Sequence, residues 1–188
     1  MALSEYALTD VAAVKRFCNL SETNAKYDLL IEDKINAVSA KIEGHAHRKF
    51  VTRTFTEYAD GDGESSVQLK NFPNVVVSAL YDDSSRLFTS ATLIPATDYV
   101  VNEDTGRVTL LEDTFYIGVA NIKIIYTAGY TQAAMDADVK DLATEWAAQA
   151  FEQRTSIGAE SHSEGGVSEQ RRSDADFIQR AESFSTGV

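Results

Sequence analysis

Apolar residues recur along this chain with two periods, and the switches between them divide it. At the start the spacing is helical. Val11, Val14, Phe17 and Cys18 fall on one side of a short helix over about 9–18, with Thr9-Asp10 in front as a capping signal. Asn19 to Asn24 reads as a loop. A longer helix is predicted over about 24–46, where Tyr27, Leu30, Ile31, Ile35, Val38 and Ile42 step by three and four. Its opposite face carries Lys26, Glu32, Asp33, Lys34, Lys41 and Glu43. Roughly twenty residues at about 1.5 Å each make a rod of ~30 Å, which needs a partner helix to cover its apolar stripe.

From about residue 50 the period becomes two. Phe50, Thr52, Thr54, Thr56 and Tyr58 oppose Val51, Arg53, Phe55 and Glu57. Asp60-Gly61-Asp62-Gly63 reads as a turn, Val67–Leu69 as a short strand and Val75–Tyr81 as a strand buried on both faces or nearly so. Arg86–Ile94 is a weaker strand candidate. Tyr99–Val101 and Arg107–Leu111 flank Asn102-Glu103-Asp104-Thr105-Gly106, a hairpin with Gly106 as its left-handed residue. Asn121–Thr127 closes the series: Ile122, Ile124 and Tyr126 alternate with Lys123, Ile125 and Thr127 before Ala128-Gly129 stops the strand. Short strands with tight turns at this spacing predict an antiparallel meander or small barrel over about 50–127.

Helical spacing then returns over about 137–154. Asp136 or Asp138 caps, Val139, Leu142, Ala143, Trp146, Ala150 and Phe151 form the stripe, and Arg154 suits the C-terminal end of the dipole. Small residues at Ala143, Ala147, Ala148 and Ala150 allow close helix approach, with Trp146 as the anchor. Residues 155–167 are polar and glycine-rich and predict a flexible linker, with Gly158, Gly165 and Gly166 as hinge positions. Residues 168–188 form an arm in which Ser173 and Asp176 resemble a capping box. Phe177, Ile178, Ala181 and Phe184 share one side of its short helix. That patch is either a fourth core helix or a hook for a partner. The linker before it favours the hook, since an apolar patch on a flexible arm has no obvious intramolecular reason.

The resulting class is α+β: a small antiparallel helical bundle with an inserted β region in one domain over 1–154, followed by linker and arm. With 188 residues, 44% of them apolar, the chain holds one real core and is short for two full domains. No stretch approaches the ~20 apolar residues of a membrane span, and Met-Ala-Leu-Ser-Glu-Tyr lacks signal-peptide character. One cysteine, Cys18, excludes an internal disulfide and a cysteine-built zinc site, which fits a reducing compartment. Cys18 reads as a small core residue. The formal charge of −12 is dispersed over the residues after the first fifty. Such a field disfavours gripping DNA, which needs clustered Lys and Arg, yet suits a surface near DNA that must not stick to it.

Candidate chemistry is sparse, and neither a cofactor nor a metal is expected. His45 and His47 stand two apart and do not share a helix face, so they read as a helix end beside Arg48 and Lys49. His162 lies in the predicted linker, a poor place for a general base. There is no Gly-x-Ser-x-Gly elbow and no phosphate loop. Asp60, Asp62, Glu64, Asp82, Asp83, Glu103 and Asp104 fall mostly in predicted turns, where acids are expected anyway. No catalytic residue is assigned.

The order of these pieces carries a resemblance. Val11–Leu20, Ile42-Glu43-Gly44-His45-Ala46-His47-Arg48-Lys49-Phe50, the Tyr99–Leu110 hairpin and the closing Tyr126-Thr127-Ala128-Gly129-Tyr130 resemble the head–tail connector, or head-completion adaptor, proteins of tailed bacteriophages. The match spans roughly residues 5 to 155 and rests on order and spacing. His47 stands where that family usually has glycine, which implies a strained left-handed turn. The resemblance implies a non-enzymatic virion protein assembled in the host cytoplasm. It implies a ring, commonly of twelve subunits, that binds under the portal protein and extends the DNA channel. DNA passes the lumen without specific binding, and a stopper or tail-completion protein attaches below. It assigns Phe177, Ile178, Ala181 and Phe184 to portal docking and Gly158, Gly165 and Gly166 to the arm's hinge. Tyr126, Gly129 and Tyr130 become a structural corner, and Trp146, Leu142, Ile31, Ile35 and Val38 helix packing. A tail-completion protein and a carboxylate-based phage enzyme are the alternatives.

Overall fold

A computed structural model describes residues 2–155 and 172–185. The chain is α+β, with four α-helices and two antiparallel sheets of four and three strands among the described residues. It divides into two compact units, a helical one of Met1–Arg48 with Gln132–Val188 and a β unit of Lys49–Thr131.

In the helical unit, α1 (Val11–Phe17) starts at Asp10, whose side chain accepts from the Ala13 N–H. The longer α2 (Asp28–His45) begins after a 3-10 turn at Ala25–Tyr27 capped by Asn24, so the predicted helix over 24–46 starts one turn late. Helix α3 (Ala137–Glu152) is capped by Asp136, which accepts from the Asp138 and Val139 N–H groups. Helix α4 (Asp174–Glu182) opens with the Ser173–Asp176 capping box in full. Helix α3 is the hub, packing on α1, α2 and α4. Ile31, Ile35, Val38 and Ile42 of α2 are buried with Val139, Leu142, Ala143, Trp146 and Phe151 of α3. Phe151 lies edge-on to Tyr27, 5.5 Å between ring centroids. Polar ties join the first segment to α3: the Thr9 and Thr144 hydroxyls are 2.7 Å apart, and Lys140 Nζ reaches Asp10 at 3.1 Å. Lys15, almost fully buried, is held 2.5 Å from Asp28 and donates to the Glu22 carbonyl.

The β unit is neither a sequential meander nor a closed barrel. Its larger sheet runs β1 (Arg53–Gly61), β7 (Gly118–Ala128), β3 (Val76–Asp82) and β4 (Leu93–Ile94), all antiparallel. Its smaller sheet runs β2 (Ser66–Gln68), β6 (Arg107–Leu110) and β5 (Tyr99–Asn102). The strand that closes the insert is therefore internal: β7, eleven residues long and rich in β-branched residues, slots between β1 and β3. Ile122, Ile124, Tyr126 and Ala128 are buried as the alternation predicts, against Leu80, Val108, Leu110 and Phe115. Strand β3 departs from its expected burial on both faces, since only Leu80 within it is buried and Val76 is exposed.

Two further departures have local causes. The Arg86–Ile94 strand shrinks to Leu93–Ile94 because Asp83 collects the N–H groups of Ser85, Leu87 and Phe88, and Arg86 and Phe88 take left-handed φ of 58° and 50°. At Asp60–Gly63, β1 runs on through Gly61. A side chain there would collide with the Tyr116 carbonyl, so glycine permits the close approach rather than a turn.

Candidate functional site

The corner residues sit together in the β unit. Tyr126 is fully buried, and its hydroxyl donates to Glu57 Oε2 at 2.7 Å while accepting from the Asn71 N–H at 3.3 Å and from Asn71 Nδ2 at 3.4 Å. Burial raises the phenol above its ordinary range; the Asn71 donor pulls it back and Glu57 raises it further. Gly129 follows with φ of +113°. A Cβ there would lie 2.7 Å from the Phe50 carbonyl oxygen and 2.8 Å from both the Thr52 nitrogen and the Val51 carbonyl carbon. The close approach has a reason: Tyr130 N–H donates to the Phe50 carbonyl at 2.7 Å, and Thr52 N–H donates to the Tyr130 carbonyl at 2.9 Å. Gly129 N–H donates to the Pro73 carbonyl at 2.8 Å, and its own carbonyl accepts from Thr52 Oγ1 and Asn74 Nδ2. The points where the chain enters and leaves the β unit are thus laced together through backbone that only glycine allows.

The C-terminal helix gives a different result from the unpartnered patch the sequence suggested. Phe177 and Ala181 are buried within the chain's own helical unit. The Phe177 ring stacks on Trp146 with 5.3 Å between centroids and an interplanar angle of 7°. Lys41 Nζ lies 5.3 Å from the same indole. Ile178 and Phe184 are only half-buried. Charges fasten the helix: Arg180 reaches Asp141 at 2.8 Å and Glu145 at 2.7 Å, and Arg172 reaches Glu145 at 2.5 Å. Asp141, then Glu145, push the Arg180 guanidinium further up. Gln149 donates to the Arg172 carbonyl at 2.8 Å. The apolar side of α4 therefore has an intramolecular partner, and the physical reason is Trp146. Asp141 and Glu145, one helical turn apart on α3, are the sign of this clip that the sequence carries beside the apolar stripe.

The hinge residues Gly158, Gly165 and Gly166, and His162, lie outside the described residues. His47 takes a left-handed φ of 53°, the strained turn implied by its place in the motif. His45 Nδ1 is 4.0 Å from Glu182 and contacts a carboxylate near the end of α4. No group of three His, Cys, Asp or Glu converges as a metal site among the described residues. Burial, with Glu152 adding to it, pushes the Cys18 thiol up to about 11, which suits a packing residue and not a nucleophile. Asp83 is the polar residue the sequence undervalued. Its carboxylate accepts from Ser85 Oγ at 2.6 Å and from three backbone N–H groups, and these bonds, the Ser85 hydroxyl first, hold it down at about 2. Its partners all lie within the loop that it organises.

No protein-family model matches the chain, and no curated protein sequence matches it. Solved structures do, over its whole length. A chain in the neck of the native gene transfer agent (GTA) particle, computed with C12 symmetry, aligns at TM-score 0.59 and 20% identity, covering 100% of this chain and 97% of that one. A chain of the native GTA virion aligns at 0.62 and 18%, and one in the neck of the empty particle, computed with C6 symmetry, at 0.63 and 21%, each covering 100% of this chain and 94% of the other. The chain has the fold of proteins found in the neck of a phage-like particle. This is the fold expected from its resemblance to head–tail connectors.

Proposed function

We propose that this chain is a structural virion protein of the neck, a head–tail connector adaptor without enzymatic activity. The observation that carries this reading is the whole-chain likeness to neck proteins, joined to the ordered motifs of the adaptor family in the sequence. In the virion the protein forms a ring, by analogy with twelve subunits, under the portal protein. The ring extends the DNA channel and offers its far side to a stopper or tail-completion protein. A formal charge of −12 suits a passage through which DNA slides, because like charge keeps phosphates from settling on the wall. Assembly takes place in the host cytoplasm.

The packing of α4 alters how the arm works in this reading. Phe177 and Ala181 reach a portal groove only if α4 leaves Trp146, so the portal must supply apolar contacts and acidic partners equal to those given up. The test is mass photometry of the purified chain with the portal protein of the same particle. The chain alone is expected to run as a monomer or weak oligomer, and the mixture as a portal with a ring of added copies. Deleting residues 168–188 should abolish the addition; retained binding would remove the arm from the docking mechanism. Copurification with tail tube instead of portal would move the protein to the tail-completion class.

A further inference from the structure

A groove of about 640 Å³ opens on the β unit between the β4 region, Leu93–Asp98, and the segment Leu110–Tyr116. Three of its apolar lining residues are left in solvent: Leu93 is 43% exposed, Leu111 58% and Tyr116 68%. Ile117 and Val119 extend the same segment with still greater exposure. Among the described residues its charged lining is all of one sign, Asp82, Asp98, Glu112 and Asp113, and no Lys, Arg or His contributes.

The groove is built rather than collapsed. Asp82 accepts the Tyr116 N–H at 2.7 Å and the Asn121 side chain at 2.9 Å. Leu111 N–H donates to the Asp98 carbonyl at 2.9 Å, and Thr97 Oγ1 donates to the Asp98 carboxylate. Phe115, fully buried, anchors the segment from below, and its N–H donates to the Glu64 carbonyl at 3.0 Å. These bonds fix the backbone of residues 111–116 while the Leu111 and Tyr116 side chains stay exposed. Contiguous exposed apolar side chains of this kind mark contact surfaces, whereas single ones are ordinary.

The walls decide what can enter. An apolar occupant without charge would leave these four carboxylates in a drier space with no counter-charge, and an acidic one would add to them. Nucleic acid and anionic bilayers are repelled by the same walls. A bare divalent cation finds no convergent set of three ligands among the described residues. A second copy carries the same formal charge of −12, so its approach to these acidic walls is opposed. We propose that this groove receives a segment of a different protein, one that inserts apolar side chains flanked by Lys or Arg. The inference does not depend on ring formation or on the portal.

The test is two-dimensional NMR of the ¹⁵N-labelled full chain in buffer of physiological salt, titrated with a short peptide alternating Lys and Leu. Peptides alternating Lys with Ser and Glu with Leu serve as comparisons. The expected result is saturable shifts confined to residues 91–98 and 110–117 with the Lys–Leu peptide. Affinity should fall about tenfold, or ~1.4 kcal/mol, for Leu93→Ser and Leu111→Ser, which replace exposed side chains and leave the fold intact. Equal binding of the Lys–Ser peptide, shifts centred elsewhere, or no shifts at all would overturn the proposal. So would concentration-dependent self-association that both substitutions abolish, since that would make a second copy the occupant.

Discussion

Gly129→Ala is the smallest change that tests the corner. The new Cβ would stand 2.7 Å from the Phe50 carbonyl oxygen and 2.8 Å from two other backbone atoms, none of which is the end of a flexible side chain. At φ of +113°, holding any L-residue costs ~1–3 kcal/mol before sterics are counted. Relief of the clash must lengthen the Tyr130–Phe50 and Gly129–Pro73 hydrogen bonds, now 2.7 and 2.8 Å, at ~1 kcal/mol each. The sum is about 3–5 kcal/mol, a large share of the ~5–15 kcal/mol of a typical domain. The direct assay is native-state hydrogen exchange of the β7 amides, which reads the β unit alone; the single tryptophan, Trp146, reports on the helical unit by fluorescence. Gly44→Ala is the control: a Cβ at that helical position meets nothing within 4 Å, so the change should stabilise by ~0.5–1 kcal/mol. Loss of less than ~1 kcal/mol in Gly129→Ala would refute the reasoning. A soluble, fully assembling Gly129→Val protein would do so more bluntly.

Phe177→Ala removes the ring stacked on Trp146. Buried Phe→Ala changes cost ~3–5 kcal/mol, and here the loss is capped by the docking free energy of α4, so the helix should detach first. Tryptophan emission should shift to the red and amides 174–182 lose protection; unchanged emission would contradict the packing. Asp83 is held at about 2, below its ordinary 3.8, so its contribution is full above pH ~4 and is lost as pH falls toward 2. The melting-temperature gap between the native chain and Asp83→Asn should therefore close across that window, and a gap constant down to pH 2 would be inconsistent with the loop network. With its thiol at about 11, Cys18 should alkylate at pH 8 roughly a hundredfold more slowly than an ordinary thiol, and comparable rates would place it in a different environment.

What was legible in the sequence follows from what local physics controls. The stripes of α2 and α3, the caps at Asp10, Asp136 and Ser173 and the alternation along β7 are set by residues a few positions apart, and all are found. Strand order was not legible, because the placement of β7 between β1 and β3 depends on pairing across the whole insert. Arg86–Ile94 shows alternation yet forms almost no strand, since Asp83 offers its N–H groups a better acceptor. The arm shows the same limit: the apolar side of α4 could be read, but its fit to Trp146, with Arg172 and Arg180 meeting Asp141 and Glu145, joins residues some thirty positions apart. The groove walled by Glu112 and Asp113 depends likewise on where Leu93 and Asp98 fold.

The most direct test of the neck assignment is cryo-EM of the virus-like particle whose genome encodes this chain. The assignment predicts a ring of copies of this fold directly beneath the portal, enclosing the DNA channel. A complete neck built without this chain, or its density found only in the tail, would contradict it.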